Sequence, residues 1–377
     1  MLTAHDELLA HQLATTFDHV EQADLRWTER IVMFGFEKSG EYTIVTGLAR
    51  YPNRNVTDAY AMIIARGGET RVVRMSTQID TAPVGLGSYT VGPYTYAIEE
   101  PLQRTRATLV ANSEGVELDL VLDGEYPAYE QTPAFHRERG RIKENARRFY
   151  QNGRVTGHFT IDGKRVDLDP DQWWFTRDHS WGLRYGPGGG SLAEGGQMQP
   201  GDIPAGALYY MGIFRFDDEL VHFAQREDHL GNRIQFEGEV LTPTAAGGGT
   251  AEIIDVEHDL KWRPGRRLID AGSRFTVLRG DRTTSELELS PRSDYWPAFA
   301  GYEEFNGYAS GYWRGTDFLD GYTVNGDDPE VVAPISLLSG TLCQARMPLD
   351  DGTEKIGYGL VEMVFVGANP RYGFEGW

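Results

Sequence analysis

Apolar and polar residues alternate with a period of two along most of the chain. The alternation is clear in residues 31–36 and 41–48, which flank the turn-like sequence Lys38-Ser39-Gly40. A period of two is typical of β-strands, because successive side chains point to opposite faces of the sheet. These two segments are therefore predicted to form a hairpin. Similar runs occur at 59–65, 104–109, 116–122, 155–161, 207–216, 219–225, 233–240, 251–260, 273–278, 285–289, 341–345 and 356–366.

One segment near the start of the sequence has a helical pattern instead. Within residues 3–20, the apolar side chains of Leu8, Leu9, Leu13 and Phe17 recur at the spacing that places them along one face of a helix. This pattern predicts a short amphipathic helix that packs against the β-structure.

Many short strands with little helix between them favour an all-β, antiparallel fold over crossover units. A chain of 377 residues also exceeds the usual size of a single hydrophobic core, which predicts two domains. The composition changes near Asp167–Asp171, after a strand pair joined by a turn. We therefore expect two barrel-like units, residues 1–168 with the helix and residues 169–377.

The charge and cysteine content narrow the class of partner and the compartment. The chain has 56 acidic against 36 basic residues, a net charge of -20, which repels phosphate backbones and makes nucleic acid an improbable partner. A single cysteine, Cys343, allows no intrachain disulfide. The sequence contains neither a signal-peptide pattern nor an apolar run of the roughly 18 residues that span a bilayer. These features predict a cytoplasmic protein without a membrane span; its oligomeric state cannot be read from them.

The segment Trp173–Gly182 (WWFTRDHSWG) combines aromatic, charged, imidazole and hydroxyl side chains. In an extended strand these side chains would alternate between two faces. Asp178 and His179 would then face one cavity only if a β-bulge lay between them. The two expected sets are Arg177, His179 and Trp181 on one face and Asp178 and Ser180 on the other.

Asp178 and His179 are the candidate catalytic residues. A carboxyl among aromatic rings is desolvated, which raises its pKa and suits a general acid. The alternative is a structural role, in which Asp178 pairs with Arg177 or with the backbone at the domain junction. His179 would transfer protons, because an imidazole titrates near neutral pH, or it would be a core histidine with its hydrogen bonds satisfied.

Two further groups of side chains are candidates for a metal site and for a ligand pocket. Residues 222–229 contain His222 and His229 near acidic side chains; together with His179 they could form a metal site, but the spacing matches no ligand signature, and a polar strand end is favoured. The second half is rich in aromatic residues, which suit either a ligand pocket or a plain core. Carboxylates lie among them: Glu303, Glu304 and Glu362.

The sequences of Gly157–Gly163 and Arg177–Gly182 resemble the pattern of the carotenoid 1,2-hydratase and AttH-like superfamily. The similarity extends loosely to Glu99–Leu102 and Gly357–Glu362, so it covers most of the chain in order, although only the six-residue motif is specific. Members of that superfamily have two lipocalin-like (calycin) barrels and an Asp-His-x-Trp-Gly motif near the domain junction. The resemblance implies two consecutive lipocalin-like antiparallel β-barrels, here with a short N-terminal helix.

The resemblance also implies a cofactor-free acid/base enzyme: a hydratase, isomerase or cyclase that acts on a hydrophobic terpenoid, steroid or aromatic compound in a pocket at the barrel interface. Asp178 matches the acid of the motif and His179 its partner, while Ser180 stands where hydratases tend to carry Asn. A non-catalytic carrier of an apolar small molecule is the alternative; a carbohydrate-active protein would need a carboxylate pair that the sequence does not identify. Substrate contacts are expected from Trp173, Trp174, Arg177, Trp181, Arg184, Tyr210, His222, Tyr302 and Glu304.

Overall fold

The computed structural model describes residues 4–9, 20, 22–79, 87–138, 140–184, 206–335 and 338–375. Within these ranges the chain is built almost entirely of antiparallel strands, so the predicted all-β class is confirmed. The strands are β1 (Trp27–Glu37), β2 (Tyr42–Tyr51), β3 (Val56–Ala65), β4 (Glu69–Thr77), β5 (Ser88–Val91), β6 (Tyr94–Glu100), β7 (Arg104–Leu109), β8 (Val116–Gly124), β9 (Tyr129–Glu130), β10 (Ala134–Glu138), β11 (Arg141–Ile161), β12 (Lys164–Leu168), β13 (Trp173–Leu183), β14 (Gly206–Arg215), β15 (Leu220–Asp228), β16 (Arg233–Leu241), β17 (Thr250–Asp259), β18 (Arg274–Arg279), β19 (Thr284–Tyr295), β20 (Phe318–Asn325), β21 (Leu338–Pro348) and β22 (Glu354–Gly367).

Helical structure in the described ranges is limited to single turns. The predicted helix over residues 3–20 falls mostly outside the described residues, and its described part forms one 3₁₀ turn. No described helix has the length and apolar character needed to cross a lipid bilayer. The turns are α1 (Pro329–Val332) and the 3₁₀ segments Ala4–Glu7, Pro52–Arg54, Thr244–Ala246, Pro297–Ala300, Ala333–Ile335 and Pro370–Tyr372.

The strands form one large curled sheet and one closed barrel. The sheet has 14 strands, with the main order β20-β4-β3-β2-β1-β13-β11-β8-β7-β6-β5 and with β9, β10 and β12 also paired to β11. The barrel closes in the order β14-β15-β16-β17-β18-β19-β21-β22. The predicted hairpin is present as β1 and β2, which pair in antiparallel register.

The sheet and the barrel do not coincide with the predicted units 1–168 and 169–377. β13 lies inside the sheet, hydrogen-bonded to β1 on one side and β11 on the other. β20 comes from the second half of the chain, yet it leaves the barrel and pairs with β4 at the edge of the sheet. The composition break after Leu168 marks only the turn before β13, because this strand completes the sheet.

Three apolar cores follow from this arrangement. One core lies within the curled sheet and includes Ile31 and Phe175, and another lies inside the barrel and includes Phe223. The third, called the interface core here, joins side chains of the sheet, such as Trp174, to side chains of the barrel, such as Leu360. β1 and β13 are therefore buried on both faces, and any polar side chain on them needs a partner.

The segment between β19 and β20 crosses from the barrel to the sheet and is anchored on β3. Asp58, which is 3% exposed, accepts hydrogen bonds from the Gly311 backbone N–H at 2.6 Å and from the Tyr308 hydroxyl at 3.4 Å. Burial raises the pKa of Asp58 to about 7, although both hydrogen bonds oppose this shift. One carboxyl thus holds the crossing segment against the sheet.

Candidate active site at the interface of sheet and barrel

β13 directs alternate side chains into two different cores. Trp173 packs in the core of the sheet and Trp174 in the interface core, where its ring lies 4.6 Å from that of Phe36. The pairing of β13 with β1 and β11 runs without a bulge. Asp178 and His179 therefore point in opposite directions, and the structure does not bring this predicted pair into one cavity.

Arg177 forms a buried ion pair inside the sheet. Its two terminal nitrogens lie 2.6 and 2.7 Å from the carboxylate oxygens of Glu7, and Gln151 accepts two further hydrogen bonds. Both charged side chains are fully buried. Burial alone would raise the pKa of Glu7, but the charge and hydrogen bonds of Arg177 outweigh it and hold the pKa below its usual value. Arg177 thus fixes the N-terminal turn to the sheet and does not reach the interface.

His179 and Trp181 lie on the same inner face as Arg177. His179 Nε2 is 3.2 Å from Glu29 Oε1, and its ring contacts those of Phe149 and Trp181 at 5.2 and 5.5 Å between centroids. The side chain of His179 is fully buried. Together with Trp173, these residues pack on the face of β13 that points into the curled sheet, opposite to the face that carries Asp178.

Gly182 of the motif is required by the backbone. Its φ of +117° is unfavourable for residues with a side chain, and an added Cβ would lie 2.3 Å from the carbonyl oxygen of Asn145 on β11. This glycine lets β13 and β11 approach closely, so its place in the motif is explained by structure.

The opposite face of β13 carries Asp178 into the interface. Asp178 Oδ2 is 3.1 Å from Arg148 Nε, and their side chains remain 10% and 21% exposed. Arg148 also donates to the Tyr150 hydroxyl at 2.9 Å and to Gln131 at 3.2 Å. Asp178 is thus placed beside a cation rather than among aromatic rings alone.

Ser180 is the centre of a row of arginines. On the paired strands, Arg30 and Arg148 lie directly opposite Ser180, one on each side. Arg184 donates to Ser180 Oγ at 2.6 Å, and burial together with Arg30 and Arg148 lowers the pKa of Arg184 to about 9. The guanidinium of Arg30 stacks on the Tyr302 ring, 4.3 Å from its centroid.

The barrel contributes a second carboxyl to this face. Glu362 on β22 accepts a hydrogen bond from the Tyr295 hydroxyl at 3.1 Å. Burial raises the pKa of Glu362, and the Asp178 carboxylate adds to this rise, whereas Arg148 and Tyr295 oppose it. We call Arg30, Arg148, Asp178, Ser180, Arg184 and Glu362 the interface cluster.

His222 faces the same interface from β15. Its ring lies between those of Tyr129 and Tyr150, with centroids 4.7 and 5.3 Å away. Burial lowers the pKa of His222 to about 3, so the imidazole is neutral at physiological pH. Across the part of the chain that the structure describes, no three His, Cys, Asp or Glu side chains are grouped to hold a metal ion.

Two further predicted site residues, Tyr210 and Glu304, also lie away from the interface. Tyr210 points into the barrel core, where its ring is 5.2 Å from that of His258; its neighbour Tyr209 faces the interface instead. Glu304 is exposed and accepts a hydrogen bond from the Tyr312 hydroxyl at 3.3 Å. A surface cleft of about 440 Å³ opens near that tyrosine. It is lined by Leu25, Arg54, Gly307, Gly311, Tyr312, Trp313 and Arg314.

The structure therefore brings Asp178, Arg184, Tyr302 and His222 to the interface, with Trp174 in the same core. Sequence reasoning missed Arg30 and Arg148 as site residues and did not connect Glu362 with Asp178. A signal for Arg30 was present, since this arginine directly precedes the apolar run 31–36, where a buried charge needs a partner.

Solved structures with the same fold were found by comparison. A putative AttH from Nitrosomonas europaea matches with a TM-score of 0.54 and 13% identity over 91% of this chain and 93% of that one. CghA, in its complex with Sch210972, matches with a TM-score of 0.50 and 12% identity over 90% and 88% of the two chains. Kievitone hydratase from Nectria haematococca gives 0.49 and 12% over 89% and 88%. No curated protein matches the sequence.

The likeness to the AttH structure confirms the AttH-like fold that the motif Arg177–Gly182 predicted. At this level of identity the likeness concerns the fold alone. A family model, described as a family of unknown function (DUF8625), matches residues 2–375. The chain therefore belongs to DUF8625.

Proposed function

We propose that this protein is a cofactor-independent acid/base enzyme, a hydratase, isomerase or cyclase, that acts on a hydrophobic unsaturated small molecule at the interface of sheet and barrel. The terpenoid, steroid and aromatic compounds named by the superfamily resemblance are the proposed substrate classes. The observation that carries the proposal is the presence of two carboxyl groups in opposed environments within one cluster.

Opposed environments allow two carboxyls to take different roles at the same pH. Burial raises the pKa of Glu362, which favours the protonated form of a general acid, although the hydrogen bond from Tyr295 opposes this shift. Asp178 forms a salt bridge with Arg148 instead, and we assign it the role of the base. The proposal thus moves the acid from Asp178, expected from the motif, to Glu362, and keeps Asp178 as its partner.

Each of the three reactions begins with the transfer of a proton from Glu362 and ends with the transfer of a proton to Asp178. The Glu362 proton is added to one carbon of a double bond, and the cation left on the other carbon is stabilised by nearby aromatic faces such as Trp174 and Tyr150 of the interface core. In hydration, water adds to that cation and its surplus proton passes to Asp178. In isomerisation, Asp178 removes a proton from the carbon next to the cation. In cyclisation, a second double bond attacks the cation to form a carbon–carbon bond, and Asp178 then removes a proton from the carbon next to the new cation.

The fold of the related structures supports a small-molecule function. CghA, one of the structures with this fold, was crystallised with Sch210972. This supports the proposal to the extent that the fold can hold an organic compound. The acid/base roles rest on the interface cluster of this chain.

Isotope incorporation tests the proposal whatever the product is. Acyclic terpenoids, sterols and prenylated phenols are incubated with the protein in D₂O and in H₂¹⁸O, and mass spectrometry follows deuterium and ¹⁸O uptake. We expect uptake into one class. Glu362→Gln and Asp178→Asn should each slow it by about 10²-fold or more, the usual contribution of a general acid or base. The rate should fall as pH rises through the raised pKa of Glu362, since the protonated form is the donor.

Glu354→Gln is the matched control, because Glu354 lies on the same strand but is exposed and paired with Arg346; its rate should equal that of the wild type. Equal loss in all three variants, or full activity of Glu362→Gln, would refute the assignment. Tight binding of a compound that gains no isotope would favour the second candidate, a carrier, which needs the apolar interface but not the acid.

A further inference from the structure

We propose that the interface cluster recognises an organic anion, so that the substrate carries a carboxylate on its apolar skeleton. This inference rests on the proposed function for the place of the site and deepens it by naming a charged group on the substrate. The anion would be bound by the three guanidinium groups that surround Ser180.

The three guanidinium groups converge by strand register. Arg30 on β1 and Arg148 on β11 each stand directly opposite Ser180 on β13, and directly opposite residues on one face have Cβ atoms about 5 Å apart. Arg184, just beyond the end of β13, reaches back to Ser180 Oγ. Three neighbouring strands thus present cations to one place on the sheet.

The charges in this place are not balanced. Among the described residues of the interface cluster, three arginines face Asp178, while Glu362 tends toward its neutral form because burial raises its pKa. The Nε of Arg30 is buried, and within the described part of the chain it has no hydrogen-bond partner. A structural ion-pair network would instead pair each arginine, as Glu7 does for Arg177.

The lowered pKa of Arg184, about 9, agrees with this imbalance, because the two other arginines disfavour its charge once burial has removed water. A bound anion would relieve the repulsion among the three guanidinium groups. It would also accept hydrogen bonds from their N–H groups that have no other acceptor. Guanidinium groups suit this task, since their planar forks match carboxylate geometry. Binding of this anionic group would also hold the apolar part of the substrate beside Glu362, so that only one double bond lies within reach of the proton donor.

A pair of isosteric probes tests the charge requirement. Benzoate and benzamide have nearly the same size and differ in charge, and their binding to the full chain is measured by isothermal titration calorimetry at low ionic strength. We expect benzoate to bind at least tenfold more tightly than benzamide. In Arg184→Met, benzoate affinity should fall at least tenfold, whereas benzamide affinity should be unchanged.

Arg346→Met is the matched control, because it removes the same charge from an exposed arginine paired with Glu288 and Glu354 on the barrel; its benzoate affinity should stay that of the wild type. Thermal unfolding adds a second readout. Without ligand, Arg184→Met should unfold at a higher temperature than the wild type, because the variant loses a like charge from the cluster.

Equal affinities for benzoate and benzamide, no binding of benzoate, or the same loss in both arginine variants would overturn the inference. These results are separate from those on the proposed function, because binding involves no turnover. Isotope uptake by a neutral compound alone, with no affinity for benzoate, would keep the acid/base enzyme and remove the anionic substrate. Benzoate binding without any isotope uptake would keep the anion site and remove the acid/base enzyme.

Discussion

Asp58 shows how one buried carboxyl couples the crossing segment to pH. Its pKa is about 7 in the folded protein, because of burial, and near 3.8 when the chain is unfolded. The folded state therefore binds the Asp58 proton more tightly, so the contribution of Asp58 to stability is greatest below pH 4 and declines as pH rises toward and through 7. Three pKa units correspond to roughly 4 kcal/mol of unfolding free energy as an upper value.

We expect urea unfolding between pH 4 and pH 8 to show this decline in the wild type. Asp58→Asn is the matched variant, since its side-chain carbonyl can still accept the Gly311 N–H. Its unfolding free energy should lack this part of the pH dependence, and the variant should be the more stable of the two at pH 8. Parallel curves for the two proteins would contradict the assigned role of Asp58.

At the residue scale, the sequence predicted the side chains that β13 contributes to the site but not their partners on other strands. The alternation of β13 could be predicted, and with it the separation of Asp178 from His179, because a strand without a bulge has a fixed period of two. The partners could not be predicted. Arg30 and Arg148 meet Ser180 only through the register of three strands, and register between distant strands depends on contacts that no local pattern contains.

At the element scale, β13 depends on the N-terminal turn for its inner face. Glu7 in the turn Ala4–Glu7 is the carboxylate that neutralises Arg177. Glu7→Gln should lower the unfolding free energy by about 3–5 kcal/mol, because it leaves a buried charge without its counter-charge. Equilibrium urea unfolding at pH 7 measures the loss.

The pH dependence of this pair has the opposite sign to that of Asp58. The pKa of Glu7 is lowered in the folded state, so the contribution is present above the usual pKa of a glutamate and is lost as pH falls through the lowered value. The double variant Glu7→Gln/Arg177→Met should recover much of the stability, since no charge is then buried. A double variant as unstable as the sum of the two single ones would argue against an ion-pair effect.

β4 and β20 are among the strands of the sheet that were not predicted from the sequence. β20 (FLDGYTVN) contains Asp320 and Gly321, which interrupt the apolar alternation, and its side chains are half-buried or exposed. In β4, Arg71 and Arg74 stand within the apolar run. Both arginines are satisfied by partners from other parts of the chain, Asp162 and Asp320, so these strands owe their stability to tertiary contacts that sequence patterns do not record.

At the scale of the whole molecule, the interface core joins the sheet to the barrel. The interface core takes side chains from both, and β20 adds a hydrogen-bonded link to β4. We therefore expect one cooperative thermal transition in calorimetry, with equal calorimetric and van't Hoff enthalpies. Arg74→Met, which removes a contact to Asp320, should lower the midpoint of that single transition. Two resolved transitions, of which the variant moves only one, would contradict a shared core.

The passage of β20 from the barrel to the edge of the sheet also bears on how this fold can be inherited. A gene fragment encoding only the strands up to β13 would leave β4 as an open edge, which invites pairing with other chains. A fragment encoding only the barrel would include β20 without β4, the strand with which it pairs. Recombination within the gene would therefore tend to yield aggregating proteins, and descent should pass the chain on as a whole.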